Sequence, residues 1–146
     1  MAREAPTGSE IERFVAAFAE HWAEPDGFER VMHRGATLQV AGADTPYSFE
    51  EARQFVSGVK RGVPDIELTV LDWAAREASV FTEWEMSGTL GGLRVSWHGI
   101  NRNTLEGSKS VAGISCWDRW SLLEKVDPGR PPLDLAQELI KIQTRA

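Results

Sequence analysis

The sequence contains a single cysteine, Cys116, so no intrachain disulfide forms and nothing in it demands an oxidising compartment. No apolar run approaches the roughly 20 residues that cross a bilayer. Met1-Ala2-Arg3-Glu4 has no apolar signal core. Positive charge is in deficit, 16 basic residues against 22 acidic ones, for a formal charge of −6. That balance argues against nucleic acid, which needs a basic footprint, and against an anionic membrane surface. The only histidines, His21, His33 and His98, are scattered without ligand spacing, so no metal site is expected. Gly88, Gly91 and Gly92 precede no helix and do not make a phosphate loop. Repeats and low-complexity segments are absent. The expectation is a soluble cytoplasmic protein that needs no cofactor.

What is present is enough apolar sequence for one packed domain: 146 residues, 42% hydrophobic, with six tryptophans. The chain is organised around residues 78–121. Val80–Met86, Leu93–Asn103 and Val111–Trp117 alternate with period two, and Gly91-Gly92 and Glu106-Gly107 turn one into the next. On the middle run, Leu93, Val95, Trp97, Gly99, Asn101, Asn103 and Leu105 share one face. That face is mostly apolar yet carries two carboxamides. On the last run both faces are apolar, with Ala112, Ile114 and Cys116 opposite Val111 and Trp117. An outer apolar face needs a cover, so a homodimer packed sheet to sheet is expected.

Residues 1–8 read as a loose N-terminus, 9–126 as the domain, and 127–146 as a proline-rich linker and C-terminal helix. Ser9 and Glu12 have capping-box spacing, and Ile11, Phe14, Val15, Phe18 and Trp22 follow as a helical stripe. Pro25 suits the first turn of a short helix carrying Phe28, Val31 and Met32, which His33-Arg34-Gly35 ends. Thr37–Val40 reads as a short strand, and Ala41–Tyr47 as a loop. Ser48 and Glu51 open a third helix with Ala52, Phe55, Val56 and Val59 inward, stopped by Gly62 and Pro64. Ile66, Leu68 and Val70 form another strand, and the pattern breaks after Trp120. Asp134 and Gln137 cap a final helix with Leu135, Leu139, Ile140 and Ile142. Helices early and strands late make an α+β fold, a cone-shaped bent antiparallel sheet wrapped around N-terminal helices. Such a cone encloses a small-molecule cavity.

That order, with Ser87–Gly92, Trp97-His98-Gly99-Ile100-Asn101, Glu106–Lys109 and Cys116-Trp117-Asp118, resembles the nuclear transport factor two-like superfamily and its SnoaL-like group. The resemblance implies polyketide cyclases, ketosteroid isomerases, epoxide hydrolases, dehydratases or pocket proteins without chemistry, so fold does not fix function. It also implies catalytic positions at which this chain differs. The isomerase tyrosine falls on Phe14, its shuttling aspartate on Val40, and its protonated aspartate on Asn101. The epoxide hydrolase arginine and aspartate fall on Trp84 and Met86, and the last-strand aspartate shared with the cyclases on Ser115. Loss of these acids argues against the classical isomerase reaction.

Asn101 is either a donor to a ligand carbonyl or phenol, able to steady an oxyanion, or an amide satisfying backbone at a sheet bend. Asn103 carries the same two readings. Asp44 and Tyr47 lie in the loop expected at the cavity mouth, as base and hydroxyl or as turn residues. His21 stands beside the helical stripe as an alternative base. Phe14, Phe18, Trp22, Trp84, Met86 and Trp97 are the expected walls, with Ser115 facing in. Asp118 reads better as a tie between strand end and helix than as a functional acid. The ligand class is an apolar, ring-containing molecule. The protein is either a cyclase, isomerase or dehydratase acting on it, or a module that only binds it or dimerises.

Overall fold

Two capping boxes start the longer helices. In this computed structural model, which describes residues 4–24 and 27–127, helix α1 spans Gly8–Glu20. Its N-cap is Thr7, not Ser9: the Thr7 hydroxyl accepts from the Glu10 amide, and Glu10 accepts from the Thr7 amide at 2.7 Å. Thr7 and Glu10 have the same spacing as Ser9 and Glu12, and the earlier pair satisfies two more residues' worth of helix. Of the expected stripe, Ile11, Phe14 and Phe18 are buried on α1 and Val15 is half-buried, while Trp22 lies past the helix end, half-buried in the turn that follows. Each such side chain contributes roughly 1.5–3 kcal/mol by leaving water. Helix α2 is one turn, Phe28–Val31.

Strand β1 spans Met32–Val40, so His33, Arg34 and Gly35 begin a strand instead of closing a helix. Its register against the neighbouring strand shifts between Met32 and Thr37, and this irregularity masks the alternation in the sequence. Tyr47–Ser48 forms β2, a two-residue edge strand on β1. Helix α3, Phe49–Gly62, is capped by Ser48 and Glu51 as expected. The remaining strands are β3 (Glu67–Arg76), β4 (Ser79–Leu90), β5 (Leu93–Glu106) and β6 (Lys109–Trp117). Gly91 and Gly92, with φ of 59° and 82°, form the two-residue β4–β5 turn, a geometry that favours glycine at both places.

The six strands form one sheet in the order β2-β1-β6-β5-β4-β3. All neighbours are antiparallel except β1 and β6, which run parallel. Parallel partners need a long connection, and α3 with β3 to β5 supplies it. Along β5 the inward residues are Val95, Trp97, Gly99, Asn101, Asn103 and Leu105, the face read from the sequence. Leu93 is the exception and is exposed. Bulges lie between Val70 and Asp72 and between Thr104 and Leu105. The helices cover the concave side. Asp118 accepts from the Ser121 amide at 2.9 Å and caps α4, Arg119–Val126, a helix the apolar pattern does not announce. Pro25 and the C-terminal linker and helix with Leu135, Leu139, Ile140 and Ile142 lie outside the described residues. No described helix is long and apolar enough to cross a membrane.

Candidate functional site

Between α1, α3 and the sheet lies a cavity of about 350 Å³, within the range of small-molecule sites. Its lining brings together Phe18, His21, Trp22, Trp84, Met86, Trp97, Asn101, Asn103 and Ser115, nine of the residues singled out in the sequence. Three others fall elsewhere. Phe14 is fully buried in the core, 5.9 Å from the Phe18 ring, so it supports the wall from behind. Asp44 is exposed in the β1–β2 turn, outside the lining, because the turn carries it away from the sheet's inner face. Tyr47 sits on β2, its ring 6.1 Å from that of Phe55, which does line the cavity. Among the described residues, the lining includes no carboxylate, lysine or arginine.

The polar floor is set by sheet register. Thr82, Asn101 and Ser115 are direct partners across β4, β5 and β6, so hydroxyl, amide and hydroxyl lie in one row. Asn101 is 7% exposed. The Trp84 indole Nε1–H donates to Asn101 Oδ1 at 2.9 Å. An indole nitrogen cannot accept, so this bond fixes the amide's orientation and leaves Nδ2 as a donor with no hydrogen-bond partner among the described residues. Trp84 reaches Asn101 because it lies flat over Gly99: a β-carbon there would stand 2.2 Å from Trp84 Cζ2. In the next row, Ser110 Oγ stands 3.1 Å from both Asn103 Oδ1 and the Ala112 carbonyl, with one proton for the two. Thr82 Oγ1 and Asn103 Nδ2 are buried without hydrogen-bond partners among the described residues.

His21 ends α1 and is 4% exposed, ringed by Phe18, Trp22 and Phe28 at centroid distances of 5.6, 5.1 and 6.3 Å. Its Nδ1 is 2.6 Å from the Phe18 carbonyl, which can only accept. Nδ1 therefore carries the proton, and Nε2 holds the lone pair with no hydrogen-bond partner among the described residues. Burial pulls its pKa from 6.5 to about 4; the Phe18 bond opposes this and the Lys60 ammonium adds to it. His33 and His98 are exposed and do not line the cavity; His98 meets Glu85 on the outer face at 3.2 Å.

The rim includes residues that the strand pattern did not single out. Trp117 and Leu122 line the cavity, and the Trp97 and Trp117 rings stand 6.4 Å apart. The guanidinium of Arg119 sits 4.9 Å over the Trp117 ring. Period two from Ser115 would have turned Trp117 inward, and Asp118 with Ser121 is the helix-start signal that places Leu122.

The model of the SnoaL-like domain matches residues 11–114. The chain belongs to the SnoaL-like domain family. Similar solved structures of this fold include AclR, a candidate hydroxylase from Streptomyces galilaeus, at 19% identity and a TM-score of 0.70, covering 92% of this chain and 94% of that one. A candidate SnoaL-like polyketide cyclase from Jannaschia sp. CCS1 is 17% identical with a TM-score of 0.69, covering 90% and 99%. Wild-type IdmH, a candidate polyketide cyclase from Streptomyces antibioticus, is 16% identical with a TM-score of 0.70, covering 80% and 97%. No curated protein sequence matches this SnoaL-like chain at a significant level.

Proposed function

We propose that the cavity binds an apolar, ring-containing small molecule whose oxygen accepts a hydrogen bond from Asn101 Nδ2. The carrying observation is the Trp84–Asn101 bond, which orients an amide donor in a mostly apolar lining. A ligand oxygen that meets this donor adds a hydrogen bond worth about 0.5–1.5 kcal/mol net. The family's polyketide cyclase-like and ketosteroid isomerase-like relatives support cyclisation or isomerisation as the reaction class. His21 is the titratable side chain in the lining, and its Nε2 is the base in this reading. A proton leaves a carbon next to the ligand carbonyl for Nε2, the C–H electrons move to the oxygen, and Asn101 steadies the resulting oxyanion. The lack of any lining carboxylate favours a second reading, in which the same cavity binds without chemistry.

The ligand contact is tested with two fluorescence-quenching probes, 2-acetylnaphthalene and 2-ethylnaphthalene. Asn101→Leu is expected to weaken the ketone about tenfold, the worth of one buried hydrogen bond, and to leave the hydrocarbon within about twofold. Equal losses for both probes would remove Asn101 from the binding scheme.

We also propose a homodimer through the outer face of the sheet. Phe81 is 42% and Ile100 54% exposed there, and Ile100 pairs with Cys116 and Glu83 across the strands. Light scattering at micromolar concentration should give twice the chain mass, and Ile100→Glu should return it to one. A monomeric wild type would end this proposal.

A further inference from the structure

The cavity lining is mostly aromatic and aliphatic and, among the described residues, includes no carboxylate, lysine or arginine, so a cation at its edge bears on what ligand charge is tolerated. Arg119 stands at that edge, half-buried, its guanidinium over the face of Trp117, a lining residue. Burial lowers its pKa from the ordinary arginine value, while Tyr47, within electrostatic reach, opposes the shift. Partial desolvation of a guanidinium is unfavourable unless a partner compensates it. Arg30, Arg34, Arg53 and Arg94, four of the nine described arginines, have carboxylate partners; Arg119 is one of the five with none among the described residues, and it is the one stacked on a lining ring. Local acids are engaged elsewhere: Asp118 caps α4 through the Ser121 amide, and Glu124 accepts from Trp120 Nε1 at 3.0 Å. This leaves an arginine fork over a lining ring with no acceptor side chain among the described residues.

Resting on the ligand cavity described above, we propose that the natural ligand is an aromatic or polycyclic carboxylic acid. Its rings lie among the cavity tryptophans, and its carboxylate meets the Arg119 guanidinium at the rim. Trp117 is the wall common to both ends. A guanidinium over an aromatic face keeps its in-plane N–H donors available, and those match a planar carboxylate two to two. An ammonium group is disfavoured by sign.

The test uses two probes of equal shape, 2-naphthoate and 2-naphthamide, with binding read from tryptophan quenching at pH 8. Wild type is expected to favour the acid by about tenfold, and the preference should shrink as salt screens the rim. Arg119→Gln should abolish the preference while leaving the amide within about twofold, which also shows that the variant is folded. Arg119→Lys should retain part of the preference. Equal or weaker binding of the acid in wild type, or an unchanged preference in Arg119→Gln, overturns the proposal and leaves the cavity reading intact. Failure of both probes to bind overturns the cavity reading and this proposal together.

Discussion

Lowering the pH from 6.5 to 4 is expected to remove about 3 kcal/mol of stability through His21. Above pH 6.5 the imidazole is neutral in both the folded and the unfolded chain, so its contribution is fully present. Below 6.5 the unfolded chain takes up a proton that the folded chain refuses until about pH 4. Stability therefore falls across that window and levels off beneath it. The carboxylates of Glu10, Glu50, Glu51 and Asp65, whose pKa values are held below their ordinary range by hydrogen bonds, add their losses only at the acid end. Urea unfolding at half-unit pH steps measures the slope, and His21→Gln should flatten it between pH 6.5 and 4.5. An unchanged slope in that variant would place the titration elsewhere. The same substitution separates catalysis from binding. If His21 is the base, His21→Gln lowers turnover of a substrate by about 10²–10⁴-fold, and the wild-type rate stays level from pH 5 to 9. Full turnover in His21→Gln would remove His21 as the base, whereas a wild type that binds and turns nothing over would favour the binding module.

Gly99→Ala is expected to destabilise the protein by about 2 kcal/mol, although the substitution adds only one methyl group. Two effects oppose each other. Replacing glycine stiffens the unfolded chain and favours folding by about 0.4–1 kcal/mol. The new β-carbon, however, would stand 2.2 to 2.7 Å from three atoms of the Trp84 indole, and rings in a packed core yield little. Trp84 must tilt, and its bond to Asn101 goes with it. The second effect is larger. Gly58→Ala is the control: in the interior of α3 its nearest foreign atom is Arg61 Nη2 at 3.8 Å, so it should stabilise by about 0.5–1 kcal/mol. Thermal melts should move in opposite directions. A Gly99→Ala melt above wild type would show that Trp84 is not pinned as described.

The inner face of β5 was legible because its alternation runs unbroken from Val95 to Leu105, and burial follows it residue by residue. Asn101 and Asn103 stood out on that face because amides are rare in such a pattern. Asp44 was misplaced for the converse reason: a turn residue has no period, so nothing in the sequence says which way it points. Strand β1 was read short because its irregularity between Met32 and Thr37 breaks the count. The rim was hidden more deeply. Arg119 gains its meaning only from Trp117, Tyr47 and the commitments of Asp118 and Glu124, and those are facts of three-dimensional arrangement.

The one parallel pairing in the sheet bears on how the molecule comes into existence. Val40 must find Ser115 with about half the chain strung between them, while every other seam joins segments nearer in sequence. Closing so large a loop is entropically slow, so hairpins should zip first and this seam last. Ser115 and Val40 are themselves lining residues. The hollow is therefore a late product of folding, and a compound that fits it should act on the rate of unfolding and leave the rate of folding unchanged.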